Sequence, residues 1–488
     1  MAERHLAGST RGGQAMLAIT SVATLLVLID FATVVPTIQD TAATFGASVG
    51  WRTWALSAMS LGLAASLLTA GAMADQIGRR RTLRAGMAAL AVSTVASAAA
   101  PDIAVFVAAR VAQGVAGAAV LAAALAAVGH AFPAGPARIR ATGIWAGALG
   151  GGIAAGPLLS SLLARHGDWR AAYWLEAALM SATVAWAGRL TESAAPRRRC
   201  SDVAGAVTLV GGMTALTAAL ITGRQSWSAA PTLLLLSAAV ACVASFAVVE
   251  ARHSEPMLDL RLLRHPAFLT SLTGALVVGL TTIALMSYAP SFLERALGWS
   301  ALASSALLAT WSTTSAVVAW QAHRMPSRVI TRHRLALGLA ICLLGLLWLG
   351  QLPPAGSWSG LMPGMLVTGV GTGLANAALG QLAVSSAPPG QPGLGSGANN
   401  TARYLGGAAG VAIVVALAVP TSARPSAGQF VSGWDAAATV CAVLCALGIA
   451  AALLLREPAP ADSRTAPAAP AARSGAVGSH PSCHAAPR

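Results

Sequence analysis

The sequence lacks lysine altogether, and all 31 of its basic residues are Arg. Charged residues of both signs make up only 10% of the chain, whereas a soluble domain carries about 25%. This shortage excludes a soluble enzyme, because too few charges are present to cover a water-facing surface. The formal net charge of +15 would suit a nucleic-acid partner. We expect none, because the Arg residues lie between apolar blocks and not along one face.

Cysteine is also scarce, with six residues in 488. Most of them lie inside apolar runs, and none has the CxxC or Cys/His spacing of a metal site. This pattern excludes a disulfide-stabilised secreted scaffold and predicts structural thiols, with no metal and no cofactor. The sequence also lacks an HExxH motif and has no paired His within an apolar run. We therefore do not expect an enzyme.

Long apolar runs, in contrast, are abundant, since 56% of the residues are hydrophobic. A helix needs about 20 apolar residues to cross a hydrocarbon core about 30 Å thick. Fourteen such runs predict an all-α membrane protein with fourteen transmembrane helices. The predicted spans are residues 14–36, 53–74, 83–100, 104–130, 141–163, 172–188, 205–222, 232–249, 271–290, 301–321, 335–351, 361–384, 397–419 and 436–455.

The positions of the Arg residues predict how these helices are oriented. If the N-terminus is cytoplasmic, the inside loops carry clusters such as the one at residues 79–84. The outside loops then hold only Arg52, Arg165, Arg170, Arg224, Arg295 and Arg424. This alternation follows the positive-inside rule and predicts a multi-pass plasma-membrane protein with both termini in the cytoplasm. The first run is too long for the apolar part of a signal peptide, so we interpret it as a retained helix.

A basic stretch at residues 71–83 joins the second and third predicted helices. Its glycines permit a tight turn, and its arginines can meet anionic headgroups or helix carbonyl ends. Taken alone, it is equally an ordinary basic loop. It closely resembles the signature loop GxLaDrxGrkxxl of the major facilitator superfamily, which implies a latch between two halves at the cytoplasmic face. The resemblance lies in Gly71, Asp75, Gly78, Arg79 and Arg80, and the sequence departs from the pattern at Gln76.

The fourth predicted helix contains Arg110, Gln113 and Gly114, which resemble the RxxqG motif of the same family. A charge inside a membrane span costs a few kcal/mol or more, so Arg110 should face a cavity or a partner. The alternative is a side chain that extends to the membrane interface. Arg110 lies about 10 Å inside the helix start, which disfavours that alternative.

The fifth predicted helix contains Gly152, Gly156 and Pro157. Glycines four residues apart permit close helix packing, and proline bends a helix. GxxxG alone is common, but GxxxGP in the fifth helix resembles the motif associated with antiporters of the superfamily. The resemblance implies export and not import.

Further stretches resemble the fourteen-span drug/proton antiporter branch of the superfamily, at residues 28–36, 169–170, 256–264 and 400–407. The first of these, around Asp30, is about three residues shorter than the LDxT…ALP pattern of the branch. The resemblance implies two six-helix bundles of the major facilitator type and a central accessory helix pair. The expected order is a cytoplasmic N-terminus (1–13), the N-terminal bundle (14–188), a basic loop (189–204), the accessory pair (205–249), a cytoplasmic linker (250–270), the C-terminal bundle (271–455) and a disordered cytoplasmic tail (456–488).

Three ionisable residues are predicted at the same depth of the N-terminal bundle. At 1.5 Å per residue, Asp30 and Glu176 each lie about 9 Å from the outer end of their helices, and Arg110 lies about 10 Å from the outer end of its own. Burial favours a protonated carboxyl, whereas a nearby guanidinium favours the ionised form. The layer could therefore load a proton on one side of the membrane and release it on the other. A static buried ion pair is the alternative.

The predicted C-terminal spans contain no acid, so we expect the N-terminal half to handle protons. The C-terminal half would then supply apolar, aromatic and hydrogen-bonding surface for a bulky substrate. The polar interior candidates there include Thr281, Thr282 and Arg403. The residues predicted to bind substrate are Tyr288, Trp311, Asn376 and Gln381, although the aromatic ones would also suit lipid-facing positions.

These features predict a monomeric secondary transporter of the bacterial plasma membrane. We expect it to export an amphipathic, lipophilic drug or antibiotic in exchange for protons by alternating access. A facilitator or importer of another small solute with the same fold is the alternative, and a membrane-embedded enzyme is the least favoured one. Nothing in the sequence specifies a particular substrate.

Overall fold

The computed structural model describes residues 2–132, 136–188, 203–223, 226–252, 260–322, 330–351, 358–386, 392–420 and 426–455. All regular elements in these ranges are helical. The α-helices are α1 (Ala2–Phe45), α2 (Val49–Ile77), α3 (Arg79–Ala98), α4 (Ile103–Ala131), α5 (Pro136–His166), α6 (Arg170–Ala187), α7 (Val203–Gly223), α8 (Ala230–Arg252), α9 (Pro266–Val278), α10 (Ala284–Leu297), α11 (Ala301–Gln321), α12 (Thr331–Leu349), α13 (Trp358–Ser385), α14 (Pro392–Ala418) and α15 (Ala427–Leu454). A 3-10 turn at Leu260–Arg264 precedes α9, and a π-helical turn at Gly279–Ile283 joins α9 to α10.

Because α9, the π-helical turn and α10 form one continuous helix, the described chain has fourteen helices. Ten of them are long and apolar enough to cross a membrane, and these are α1, α2, α4, α5, α8, α9–α10, α11, α12, α14 and α15. Within α7 only a shorter apolar stretch, Val207–Leu216, stands out. The protein is therefore an all-helical, multi-pass membrane protein. The prediction of fourteen spans remains open for α3, α6, α7 and α13.

The helices pack as two sets in chain order, α1–α6 and α9–α15. The two sets meet mainly where α2 packs against α14 and where α5 packs against α11. Helices α7 and α8 pack on each other, and α7 also contacts α2 and α14. The α7–α8 pair therefore lies beside the seam between the two sets.

Apolar side chains fill both sets and the space between them. One core cluster lies almost wholly within the first set, around Met59, Leu63 and Leu90. A second cluster spans the seam and brings Phe106 and Trp169 of the first set together with Phe292 of the second. Because this second cluster is continuous across the seam, the two sets pack tightly near the C-terminal ends of α1 and α10.

Several helices run beyond the ends that hydropathy predicted. Helix α1 begins at Ala2, so most of the predicted N-terminal segment 1–13 is helical, and it continues through Pro36 to Phe45. Hydropathy falls at the first polar residues, whereas the helix continues wherever its backbone remains hydrogen-bonded.

The longer helices correct one expectation. Helix α10 extends to Leu297 and contains Glu294, and α15 begins at Ala427 and contains Asp435. The expectation that the C-terminal helices contain no acid is therefore wrong. Both acids are only partly buried and lie towards the ends of their helices.

Some predicted segments lie outside the described residues. The predicted disordered tail at 456–488 lies there entirely, and the predicted basic loop at 189–204 lies there except for its last two residues. Within the predicted linker at 250–270, residues 253–259 are also outside. The rest of that linker forms the end of α8, the turn Leu260–Arg264 and the start of α9.

Candidate functional site

The structure brings Asp30, Arg110 and Glu176 together in the interior of the first helix set. They come from α1, α4 and α6, and all three are fully buried, with exposed fractions of 0%. We call these three residues the acid–arginine cluster. Taking charges out of water is costly unless they are paired and hydrogen-bonded, so the contacts of each member determine what the cluster can do.

Arg110 holds the backbone of α1 as well as a carboxylate. Its Nη1 atom lies 3.5 Å from Asp30 Oδ1 and donates to the carbonyl oxygen of Asp30 at 2.8 Å. Its Nη2 atom donates to the carbonyl oxygen of Phe31 at 3.2 Å. The Arg110 side chain thus faces partners inside the bundle. This orientation is expected, because a charge that faces lipid costs several kcal/mol.

Gln113 ties the cluster to α3. Its Nε2 atom donates to Asp30 Oδ1 at 3.0 Å and to Thr94 Oγ1 at 3.1 Å, while its Oε1 atom accepts from Arg110 Nη1 at 3.1 Å. Residues three apart share one face of a helix, so Arg110 and Gln113 approach Asp30 from the same side of α4. The next residue, Gly114, faces Gly62 of α2 so closely that an added Cβ would lie 2.8 Å from the Gly62 Cα.

Asp30 and Glu176 lie within electrostatic range of each other, and the Thr33 hydroxyl of α1 donates to Glu176 Oε1. Asp30 Oδ2 and Glu176 Oε2 have no hydrogen-bond partner among the described residues. An ionised carboxylate only accepts hydrogen bonds, so these two oxygens can bond to each other only when one of the acids carries a proton. With one proton on the two acids, the remaining carboxylate balances the Arg110 guanidinium.

Three further residues complete the site, and the sequence analysis did not identify them. Thr33 lies three residues after Asp30 on α1, and Tyr173 lies three residues before Glu176 on α6. Helical spacing from the two acids could have indicated both. Tyr173 is buried within electrostatic range of all three charged side chains, and its ring is edge-on to Phe106 and Trp169. Thr94 comes from α3 and carries no comparable signal in the sequence.

The GxxxGP residues of α5 lie directly behind the cluster. A Cβ added to Gly156 would lie 2.6 Å from the Ile29 carbonyl oxygen, and one added to Gly152 would lie 2.5 Å from the Leu25 carbonyl oxygen. The two glycines therefore let α5 pack tightly on α1, next to Asp30. Pro157 lies inside α5, which remains one helix.

The signature-loop residues lie at the far end of α2. Gly71 and Asp75 belong to the last turns of α2, which ends at Ile77, and α3 begins at Arg79. Between the two helices, Gly78 has φ of 111°, a conformation that favours glycine. Arg79 and Arg80 are partly buried in the first turn of α3, and the side chain of Asp75 is outside the described part of the structure. These residues form a tight helix–helix corner.

The four predicted substrate-binding residues do not converge on one pocket. Tyr288 is buried and lines a narrow crevice between the two helix sets, together with Gln39, Arg52 and Arg295. Trp311 is buried and donates to Thr372 Oγ1 at 3.2 Å. Asn376 is half-buried and Gln381 is exposed. A polar residue in an apolar run indicates that this side of the helix faces away from lipid. The sequence pattern does not indicate which cavity that side faces.

One aromatic contact links the acid–arginine cluster to the second helix set. The ring of Phe31, whose carbonyl accepts from Arg110, lies edge-on to Tyr404 of α14 with centroids 5.9 Å apart. Tyr404 follows Arg403, whose Nη2 atom donates to Asn399 Oδ1 at 3.3 Å. The residues beside Asp30 therefore touch both halves of the molecule.

Among the described residues, no group of three or more His, Cys, Asp or Glu side chains is suited to hold a metal ion. Cys242, Cys342, Cys441 and Cys445 are free thiols, and the last three are buried.

Residues 20–411 match the family model of the Major Facilitator Superfamily. The chain is 28% identical over 401 residues to the multidrug resistance protein Stp of Mycobacterium tuberculosis, covering 81% of this chain and 74% of that protein. It is 31% identical over 366 residues to the tetracenomycin C resistance and export protein of Streptomyces glaucescens, covering 74% and 68%. The fold is similar to the crystal structure of the human organic anion transporter MFSD10 (TETRAN), with a TM-score of 0.64 and 16% identity over 90% of this chain and 99% of that one.

Proposed function

Since the chain belongs to the major facilitator superfamily, we propose that it exports amphipathic drugs or antibiotics across the bacterial plasma membrane in exchange for protons. Membership makes the protein a transporter and not an enzyme. The export direction is supported by relatives named for multidrug resistance and for tetracenomycin C resistance and export. The GxxxGP residues Gly152, Gly156 and Pro157, which we assign to the antiporter motif, agree with that direction.

The burial of two acids, Asp30 and Glu176, beside Arg110 is the observation that supports the coupling. With one proton on the pair, the charges of the acid–arginine cluster sum to zero, because one carboxylate balances Arg110. Loss of that proton leaves one net negative charge in a fully buried site. An uncompensated buried charge costs several kcal/mol, so proton loss favours a conformation in which water reaches the cluster.

Alternating access follows from this preference. In our proposal the helix sets α1–α6 and α9–α15 are the two six-helix bundles, and α7–α8 is an accessory pair beside their seam. The bundles rock about the seam, so that the cluster takes up a proton from outside and releases it inside while the drug moves outward. The corner formed by Gly71, Asp75, Gly78, Arg79 and Arg80 latches the bundles at the cytoplasmic face, where both chain termini lie.

The drug is proposed to bind between the bundles. The C-terminal bundle contributes apolar and aromatic surface there, with Tyr288, Trp311, Asn376 and Gln381 as candidate contacts. Generic apolar walls suit a range of lipophilic molecules and explain why no single substrate is encoded. The transporter works as a monomer in the lipid bilayer, with the small molecule and protons as its only proposed ligands.

The experiment has two stages. A drug-susceptibility panel in a sensitised bacterial host first identifies a transported drug. The full chain is then purified and reconstituted in liposomes, and export of that drug is followed with and without an imposed pH gradient. We expect an imposed gradient of one pH unit to raise the steady-state concentration ratio of the drug by about tenfold for each proton exchanged, since the gradient supplies about 1.4 kcal/mol per proton. Export that ignores the pH gradient would overturn proton exchange and would favour a facilitator.

A further inference from the structure

The Thr33 hydroxyl lies between two acceptors on different helices. Its Oγ1 atom is 3.0 Å from the Ile29 carbonyl oxygen of its own helix, and it also contacts Glu176 Oε1 of α6. Thr33 is fully buried, so no solvent competes for either bond. A hydroxyl has a single proton to donate, and it can therefore serve only one of these acceptors fully at a time.

We propose that Thr33 is a positioning residue that transmits the protonation state of Glu176 to the backbone of α1. The proposal rests on the proposed proton-coupled function, because it presumes that Glu176 gains and loses a proton during transport. Thr33 itself neither carries the transported proton nor contacts the drug.

The two states follow from the strength of the competing bonds. When Glu176 is ionised, its carboxylate is the better acceptor, because charge-assisted hydrogen bonds are roughly twice as strong as neutral ones. The hydroxyl then turns to Glu176, and the Ile29 carbonyl loses its side-chain donor. When Glu176 is protonated, that advantage disappears and the hydroxyl returns to the Ile29 carbonyl. Such bonds from Thr to the carbonyl four residues earlier bend helices, so the exchange changes the local shape of α1.

The surrounding part of α1 is built to respond to that change. Pro36 has no backbone N–H, so the carbonyl of Ala32 lacks its helical donor. The Thr37 hydroxyl makes a further bond of the same kind, to the Thr33 carbonyl at 2.9 Å. A helix weakened at these points bends at low cost.

The same segment of α1 has contacts through which a bend can affect α4 and the second helix set. Arg110 holds the carbonyls of Asp30 and Phe31 on one side. On the other side, the Phe31 ring touches Tyr404 of the second helix set. A change at the Ile29 carbonyl therefore occurs between the proton site and a contact with the other half.

The charged and titratable surroundings of Glu176 are compatible with this role. Asp30 faces it from α1 and Arg110 faces it from α4, and Tyr173 lies on its own helix, α6. Helix α3 contributes the hydroxyl of Thr94, which is bonded to Gln113. Neither Asp30 nor Arg110 bonds to the Ile29 carbonyl among the described contacts, so Thr33 is the side chain that joins this carbonyl to Glu176.

Infrared difference spectroscopy of the full chain in lipid vesicles tests the proposal, because it reads carboxyl protonation without a drug. The band of the protonated Glu176 carboxyl is identified as the one that Glu176→Gln removes. Thr33→Val keeps the shape of the side chain and removes the hydroxyl. We expect it to change the frequency of that band and to move its titration midpoint to higher pH by about one unit, since the lost bond favours the ionised form.

Two further variants separate the bond from the fold. Thr33→Ser restores a hydroxyl and should return the band to its wild-type frequency and midpoint. Thr41→Val is the matched control, since Thr41 is also fully buried on α1 and donates to the Thr37 carbonyl at 2.9 Å. It has no carboxyl partner among its described hydrogen bonds and should leave the band unchanged.

The outcomes distinguish this inference from the proposed function. A band that titrates in the wild type and is unchanged in Thr33→Val would overturn the role of Thr33 and leave proton-coupled export intact. A shift of equal size in Thr41→Val would also overturn it. If Glu176→Gln removes no titrating band, Glu176 does not exchange protons. Both the role of Thr33 and the proposed proton exchange at Glu176 then fail.

Discussion

Each half of the molecule buries an arginine beside a side-chain amide, and only the first half adds carboxyl groups to this arrangement. Arg110 bonds to Gln113 and lies 3.5 Å from Asp30, with Glu176 within electrostatic range of the same aspartate. Arg403 bonds to Asn399 at 3.3 Å and forms no ion pair with a carboxylate among the described residues. An arginine keeps its charge at every physiological pH, whereas a carboxyl group can lose it. The acid–arginine cluster can therefore change its charge, and the Arg403–Asn399 pair cannot.

The acids of the second half sharpen the difference. Glu294 and Asp435 lie towards helix ends and are partly exposed, so water can compensate their charges. Asp30 and Glu176 have no exposed surface, and their charges must be balanced by Arg110 and by protons. The protonation state of a carboxyl group thus affects the conformation only where the group is fully buried. Its position in the bundle decides this, more than its residue type.

The largest effect is expected from neutralising the buried aspartate. Asp30→Asn removes the carboxylate that balances Arg110, and breaking a buried charge pair costs about 3–5 kcal/mol. Drug resistance should fall to the level of cells without the transporter, while membrane expression, measured by immunoblot, is kept. Asp435→Asn in the second half is the control and should retain wild-type resistance. Wild-type resistance of Asp30→Asn would contradict the assignment of coupling to the first half.

A second comparison replaces the two buried arginines. Arg110→Gln leaves two buried acids without a cation, and we expect the export rate in liposomes to fall by at least about tenfold and to lose its dependence on pH. Arg403→Gln should leave the shape of the pH profile unchanged, because no carboxylate of the described residues forms an ion pair with it. Equal changes of the pH profile in both variants would show that the two halves share proton handling.

A smaller effect is expected where α5 packs behind the cluster. A Cβ at position 156 would lie 2.6 Å from the Ile29 carbonyl oxygen, so Gly156→Ala should force the helices apart, at a cost of about 1–3 kcal/mol. The purified protein should unfold at a temperature lower by a few degrees and export more slowly. Gly147→Ala on the same helix is the control, since nothing lies within 4 Å of its added Cβ. Equal melting temperatures for the two variants would contradict the close packing.

The sequence was sufficient to predict the helical class and the common depth of Asp30, Arg110 and Glu176. The reason is physical: the rise of a helix is constant, so counting residues from a helix end yields depth in the membrane. Depth does not yield rotation about the helix axis. The hydrogen-bonding roles of Thr33 and Tyr173 could have been inferred from helical spacing once the acids were known, whereas Thr94 comes from a neighbouring helix that only the tertiary fold places there.

The candidate residues of the second half differ in burial for the same reason. Trp311 and Tyr288 are buried as expected, but Gln381 is exposed and Asn376 only half-buried, because hydropathy does not distinguish a cavity from another surface. Glu294 and Asp435 were missed as helix residues because the apolar run at 271–290 ends before Glu294 and the run at 436–455 begins after Asp435. The helices continue there, since backbone hydrogen bonds do not depend on side-chain polarity.

Proton movement driven by the drug tests the central claim most directly. The wild-type protein is reconstituted in liposomes that enclose a pH-sensitive dye, and a gradient of the transported drug is imposed with no initial pH difference. The account predicts that protons move in the opposite direction to the drug, that Asp30→Asn abolishes this movement, and that Asp435→Asn keeps it. Drug transport by the wild type without any proton movement would contradict the account.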